Sequence, residues 1–110
     1  MVIVNTFYFL ENASAAATSD VSHNANAETM TLQIDGTATS FSAQVLGCTD
    51  LKSDTFYPLT GFDLAFDPTS TLTSKGIYTF GIEGIAKIKL NLTAVSGGSI
   101  SAFARVTKGV

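Results

Sequence analysis

The side chains that could act as nucleophile, base or metal ligand are few and scattered. The chain has one histidine, His23, one cysteine, Cys48, and no tryptophan. Nucleophilic catalysis needs a Ser or Cys beside a base. His23 lies in a polar stretch, no G-x-S-x-G elbow is present, and Cys48 has no second histidine to activate it. A zinc site needs three or four His/Cys ligands, more than the chain holds. No P-loop or dinucleotide fingerprint appears. Asp50, Asp54, Asp63 and Asp67 fall in or near two loops, where a carboxyl pair could hydrolyse a glycoside or help hold calcium. Neither reading has motif support, and Asp in a turn normally caps the local backbone. No catalytic set, cofactor or metal is expected. The remaining chemistry is aromatic. Tyr57, beside Pro58 in an irregular segment, is the candidate platform for a sugar ring, against the plainer reading of a half-buried ring whose hydroxyl reaches water.

The charge balance narrows the partners. The net charge is −3, and the first 51 residues carry no Lys or Arg. A nucleic-acid binder needs a basic patch for phosphate, so nucleic acid is not expected. No segment approaches the ~20 apolar residues of a membrane helix, and membrane association is not expected. The N-terminal stretch lacks a positive n-region and reads as a strand rather than a leader. A lone cysteine permits no intrachain disulfide. Hydrophobic residues make up 45% of the chain and charged ones only 14%, so Ser, Thr, Asn and Gly must cover the surface. Such a surface suits packing against other subunits and also suits secreted β-sandwiches.

Strand chemistry runs through the whole chain. Residues 2–10, VIVNTFYFL, are β-branched and aromatic on both faces, as in a strand covered on both sides, either inside a sandwich or by a neighbouring chain. Ile3, Phe7 and Phe9 share one of those faces and are candidate subunit contacts. Residues 11–27 read as a long polar loop. Residues 28–34 alternate, with Met30, Leu32 and Ile34 inward. Asp35-Gly36 suits a type I′ turn into residues 38–46, which makes this pair a predicted hairpin. Pro58 confines the segment 55–66 to an edge or strand end. Residues 76–82 place Tyr78, Phe80 and Ile82 on one face. A second predicted hairpin closes the chain: IAKIKLNLTAV, the turn SGGS, then ISAFARVT. Here Ile88, Leu90, Leu92 and Ala94 point inward. Lys87, Lys89 and Arg105 share the wet face, which Phe103 interrupts with an aromatic ring, and Phe103 is the fourth candidate contact. The sum is seven or eight short strands in one all-β, antiparallel sandwich or jelly-roll-like domain spanning residues 1–110.

The stretches MTLQIDGTATSFSAQVLG and GIYTFGIEGIAKIKLNLTAV, and the closing strand after SGGS, resemble small β-sandwich virion proteins of tailed bacteriophages over residues 28–107. The resemblance implies a non-enzymatic structural or accessory protein of the virion, such as a capsid decoration, a head–tail piece or a tail or fibre component. It implies homo-oligomers or contacts with other virion proteins, a possible host-surface glycan as partner, and a site of action in the particle. The alternative is a small carbohydrate-binding module using Tyr57.

Overall fold

Alternation sets the strands, and side-chain burial sorts them into two layers. The computed structural model describes residues 2–23 and 27–109. Eleven strands are found among them: β1 (Val2–Ala13), β2 (Ala17–Thr18), β3 (Ser22–His23), β4 (Thr29–Gly36), β5 (Ser40–Cys48), β6 (Tyr57–Pro58), β7 (Gly61–Phe62), β8 (Pro68–Thr69), β9 (Gly76–Gly81), β10 (Lys87–Ser96) and β11 (Ile100–Lys108). No helix occurs among the described residues. One antiparallel sheet runs β1-β11-β4-β9-β7-β8. The other runs β2-β10-β5-β6, with β3 also pairing with β10. The two sheets form a sandwich, as the alternation predicts.

Inward residues of both layers make the core. Met30, Leu32 and Ile34 of β4 face Val45 of β5 and Ile88, Leu90 and Leu92 of β10, with Phe80 of β9 and Ile100 and Val106 of β11. All are almost fully buried, and each contributes about 1.5–3 kcal/mol relative to exposure. Tyr78 and Ile82 are buried as expected. Pro58 does lie in an edge strand, β6, where the missing N–H disturbs no inner ladder.

Neither predicted hairpin exists. β4 belongs to the six-stranded sheet and β5 to the five-stranded one; β10 and β11 are divided in the same way. Both connections are arches that carry the chain across the core. The two arches lie against each other. The Ser99 carbonyl accepts from the N–H groups of Thr37 (2.9 Å) and Ala38 (3.0 Å), and the Thr39 N–H donates to the Ser96 carbonyl (3.0 Å). The glycines there serve close approach rather than a two-residue turn. A Cβ on Gly36 (φ +138°) would stand 2.2 Å from the Ser99 carbonyl oxygen, and one on Gly97 (φ +75°) 2.1 Å from Thr39 Oγ1.

Two further expectations are corrected. The inward run of β10 breaks at a bulge between Leu92 and Ala94. Ala94 is consequently exposed and Val95 packs against the core instead. The segment 11–27 is not one long loop where it is described. β1 continues to Ala13, and β2 and β3 then cross to the other sheet and pair with β10. Ser19 bridges the gap between those short strands. Its N–H donates to the Leu90 carbonyl, and its Oγ accepts from the Leu90 N–H, each at 2.8 Å. The hydroxyl thus replaces a missing backbone acceptor.

Candidate functional site

The first surface is the free edge of β1, which pairs with β11 on one side only. Its N-terminal half is bare: Val2, Ile3 and Val4 are 44%, 50% and 42% exposed. No Lys, Arg or Pro stands in residues 2–10, so the usual protections of an edge are missing. The sequence suggests a strand covered on both faces, but within this chain residues 2–6 are covered on neither. These residues pair with Arg105–Lys108 of β11 but leave their own side chains outside the core. Bulges between Ile3 and Asn5 and between Tyr8 and Leu10 break its alternation. The candidate contacts therefore separate. Ile3 is open. Phe7 is half-buried and meets Phe9 edge-on at 4.9 Å. Phe9 is only 7% exposed and belongs to the core, so it offers no contact surface.

The second surface is the outer face of the six-stranded sheet. Register sets Tyr8 beside Phe103, Phe103 beside Gln33 and Gln33 beside Ile77. Tyr8 is 53% exposed, and its ring meets that of Phe103 at 5.0 Å with an interplanar angle of 63°. A cleft of about 380 Å³ opens at this pair and is also lined by Asn12, Gln33, Asp35 and Ser101. Asn12 has a left-handed backbone (φ 52°), and its N–H donates to Ser101 Oγ at 2.9 Å. Asn tolerates this conformation better than most residues. A second cleft of about 250 Å³ shares Phe103 and Gln33 and ends at Thr31 and Arg105. Phe103 and Gln33 thus line both of two adjoining clefts, which together form a trough with Phe103 as the ridge between them. Among the described residues, the side chains of Gln33 and Arg105 make no hydrogen bond or ion pair.

The opposite sheet holds the predicted sugar platform. Tyr57 is 67% exposed and stands at a cleft of about 520 Å³ lined also by Cys48, Asp50, Ser53, Thr55 and Leu59. The predicted wet face of Lys87, Lys89 and Arg105 is split, because β10 and β11 lie in different sheets. Lys87 is not a surface charge at all. It is buried, and its ammonium donates to the carbonyls of Leu51 (3.3 Å) and Ser53, anchoring the 50–56 loop. Lys89 lies 4.2 Å from the centroid of the Phe56 ring, a cation–π distance. Cys48 is buried, with Sγ 3.2 Å from the Asp50 carbonyl oxygen. His23 is exposed.

Two of the four loop carboxylates, Asp50 and Asp63, cap their own backbone. Asp63 Oδ1 accepts from the N–H groups of Ala65 (2.9 Å) and Asp67 (3.0 Å), and Asp50 Oδ1 from that of Lys52 (2.9 Å). The Asp63 cap holds a hairpin tip whose Phe66 has φ 63° and stands exposed. Burial, aided by the Asp63 carboxylate, raises the Tyr78 phenol above its usual range. Among the described residues no group of three or more His, Cys, Asp or Glu is placed to hold a metal ion. No helix there is long and apolar enough to cross a membrane.

Fold and surfaces define a two-sheet β-sandwich with one bare edge and an aromatic-lined trough on an outer face. A match to the family described as XepA spans residues 4–106, and the chain belongs to that family. Two solved structures share the fold. The SPBc2 prophage-derived protein YomS superposes with a TM-score of 0.83 at 20% identity, covering 94% of this chain and 92% of that one. The PBSX exported protein XepA superposes with a TM-score of 0.87 at 22% identity, covering 93% of this chain but only 37% of that one. No curated protein matches the sequence.

Proposed function

We propose that this protein is a phage-associated, non-enzymatic structural or accessory component of the virion that works by association through the edge of β1. The observation that carries the reading is the bare apolar stretch Val2-Ile3-Val4 on a strand paired on one side only. Membership of the XepA family supports the phage association, as does the fold shared with a prophage-derived protein and a PBSX protein. An incoming strand, from a second copy or from another virion protein, would extend the six-stranded sheet by backbone hydrogen bonds. It would cover the exposed valines and isoleucine, and apolar burial contributes about 25 cal/mol per Å². The 14% of charged residues leaves little to desolvate at such a contact.

Sedimentation at micromolar concentration tests this reading. The parent protein is expected to run as an assembly. Val4→Lys, which places a charge on the exposed edge without touching the core, is expected to shift it to the monomer. A parent protein that stays strictly monomeric and retains no partner from virion preparations would overturn the proposal.

A further inference from the structure

The trough on the outer face of the six-stranded sheet has the chemistry of a carbohydrate site, and we propose that it binds an oligosaccharide in two adjoining subsites. Its strands β11 and β4 are paired on both sides. The trough is open on the outer face of the sheet, away from the free edge of β1, so recognition there comes from side chains. The first subsite, about 380 Å³, falls within the roughly 300–1,000 Å³ of small-ligand clefts. Tyr8 and Phe103 form an angled aromatic floor for the apolar C–H face of a pyranose ring. Around that floor stand a planar amide, Gln33, a second amide, Asn12, a carboxylate, Asp35, and a hydroxyl, Ser101. Asp35 Oδ1 accepts from the Gly36 N–H (2.8 Å), and Ser101 Oγ accepts from the Asn12 N–H and donates to Asn12 Oδ1 (3.5 Å), so Gln33 and the second Asp35 oxygen are the groups that meet vicinal sugar hydroxyls. The Gln33 amide has no partner among the described residues and is available to a ligand.

The second subsite reaches Arg105 over the ridge of Phe103. Its guanidinium has no carboxylate partner among the described residues. A planar fork of donors matches a carboxylate in two-pronged fashion. The favoured ligand is therefore a chain with a neutral ring at Tyr8–Phe103 and an acidic residue, such as a uronate, at Arg105. Asp35 at the opposite end disfavours phosphate there, which argues against a nucleic-acid strand in the same trough. This site lies on the opposite sheet from Tyr57, where the sequence pointed, and it uses the side chains of Tyr8 and Asn12 of β1 rather than the bare Val2–Val4 stretch.

The test is an array of short immobilised oligosaccharides covering neutral hexose, N-acetylhexosamine and uronate series, probed with the full chain. Binding to a uronate-containing series is expected. Phe103→Ala and Gln33→Ala should each weaken it about tenfold, a change of about 1.4 kcal/mol, with circular dichroism and sedimentation unchanged. Gln33 is an exposed surface side chain, so its variant separates binding from folding. Arg105→Ala should weaken uronates more than neutral sugars, and Tyr57→Ala should bind as the parent does. The proposal is overturned if no oligosaccharide is retained, or if the Phe103 and Gln33 variants bind like the parent. Loss of binding in Tyr57→Ala would move the site to the other sheet and also overturn it. Equal effects of Arg105→Ala on neutral and acidic series would remove the acidic subsite.

Discussion

At the scale of single residues, side chains complete what the backbone leaves undone. Ser19 accepts from the buried Leu90 N–H at the break between β2 and β3. Removing the hydroxyl strands that donor away from water, and an unsatisfied buried polar group costs about 1–3 kcal/mol. Ser19→Ala is therefore expected to lose about that much stability, read as a lower urea midpoint with an unchanged slope. Lys87 plays a comparable part for the 50–56 loop, with carbonyls rather than a carboxylate as partners. Neither role shows in the sequence. Ser19 is one of many serines, and Lys87 occupies a formally polar position of an alternating strand. Phe103 is the opposite case, since its place on a polar face marks it from the sequence as an aromatic that the core does not require. Its ring partner Tyr8 comes from the other end of the chain, and no local pattern announces that meeting.

At the scale of elements, the arches carry the fold. Two of them stack at one end of the sandwich, and the contact tolerates no Cβ at Gly36. Gly84 also has a positive φ, of +85°, but faces open space. Gly84→Ala is expected to cost about 1–2 kcal/mol, the penalty of a left-handed backbone alone. Gly36→Ala is expected to exceed the ~1–3 kcal/mol of backbone strain, because the arches must also separate. Paired urea titrations of the two variants check the difference, and equal losses would show that the arches do not bear on each other. The same contact explains why Asp35-Gly36 and SGGS read as hairpin turns. Glycine serves both a tight turn and a close crossing, and the strands on either side alternate identically in the two cases.

For the whole molecule, the first and last strands are partners: Val2 pairs with Lys108 and Ala13 with Ile100. β11 also pairs with β4, so it joins the edge strand to the interior of the sheet. A chain ending at Ser99 would leave β4 with a bare inner edge and remove Ile100, Ala102, Ala104 and Val106 from the core. Such a truncation is expected to show no cooperative unfolding transition, whereas removal of residues 2–5 should leave one. Distant pairings of this kind form late, so folding on the millisecond-to-second scale of all-β domains is the corresponding expectation.

The sequence by itself determined the class of fold, the inward faces of β4 and β9 and that of β10 as far as Leu92, the edge position of Pro58 and the oddness of Phe103. Those follow from alternation, which records whether a side chain faces water, and from the backbone limits of proline. Only the tertiary structure decided which sheet each strand joins, that β1 is bare rather than covered within the chain, that Phe9 belongs to the core, and that Lys87 is buried. A strand's alternation is the same whichever neighbour it pairs with. Partners are chosen by contacts between distant segments, and the trough between Tyr8 and Arg105 exists only once those segments have met.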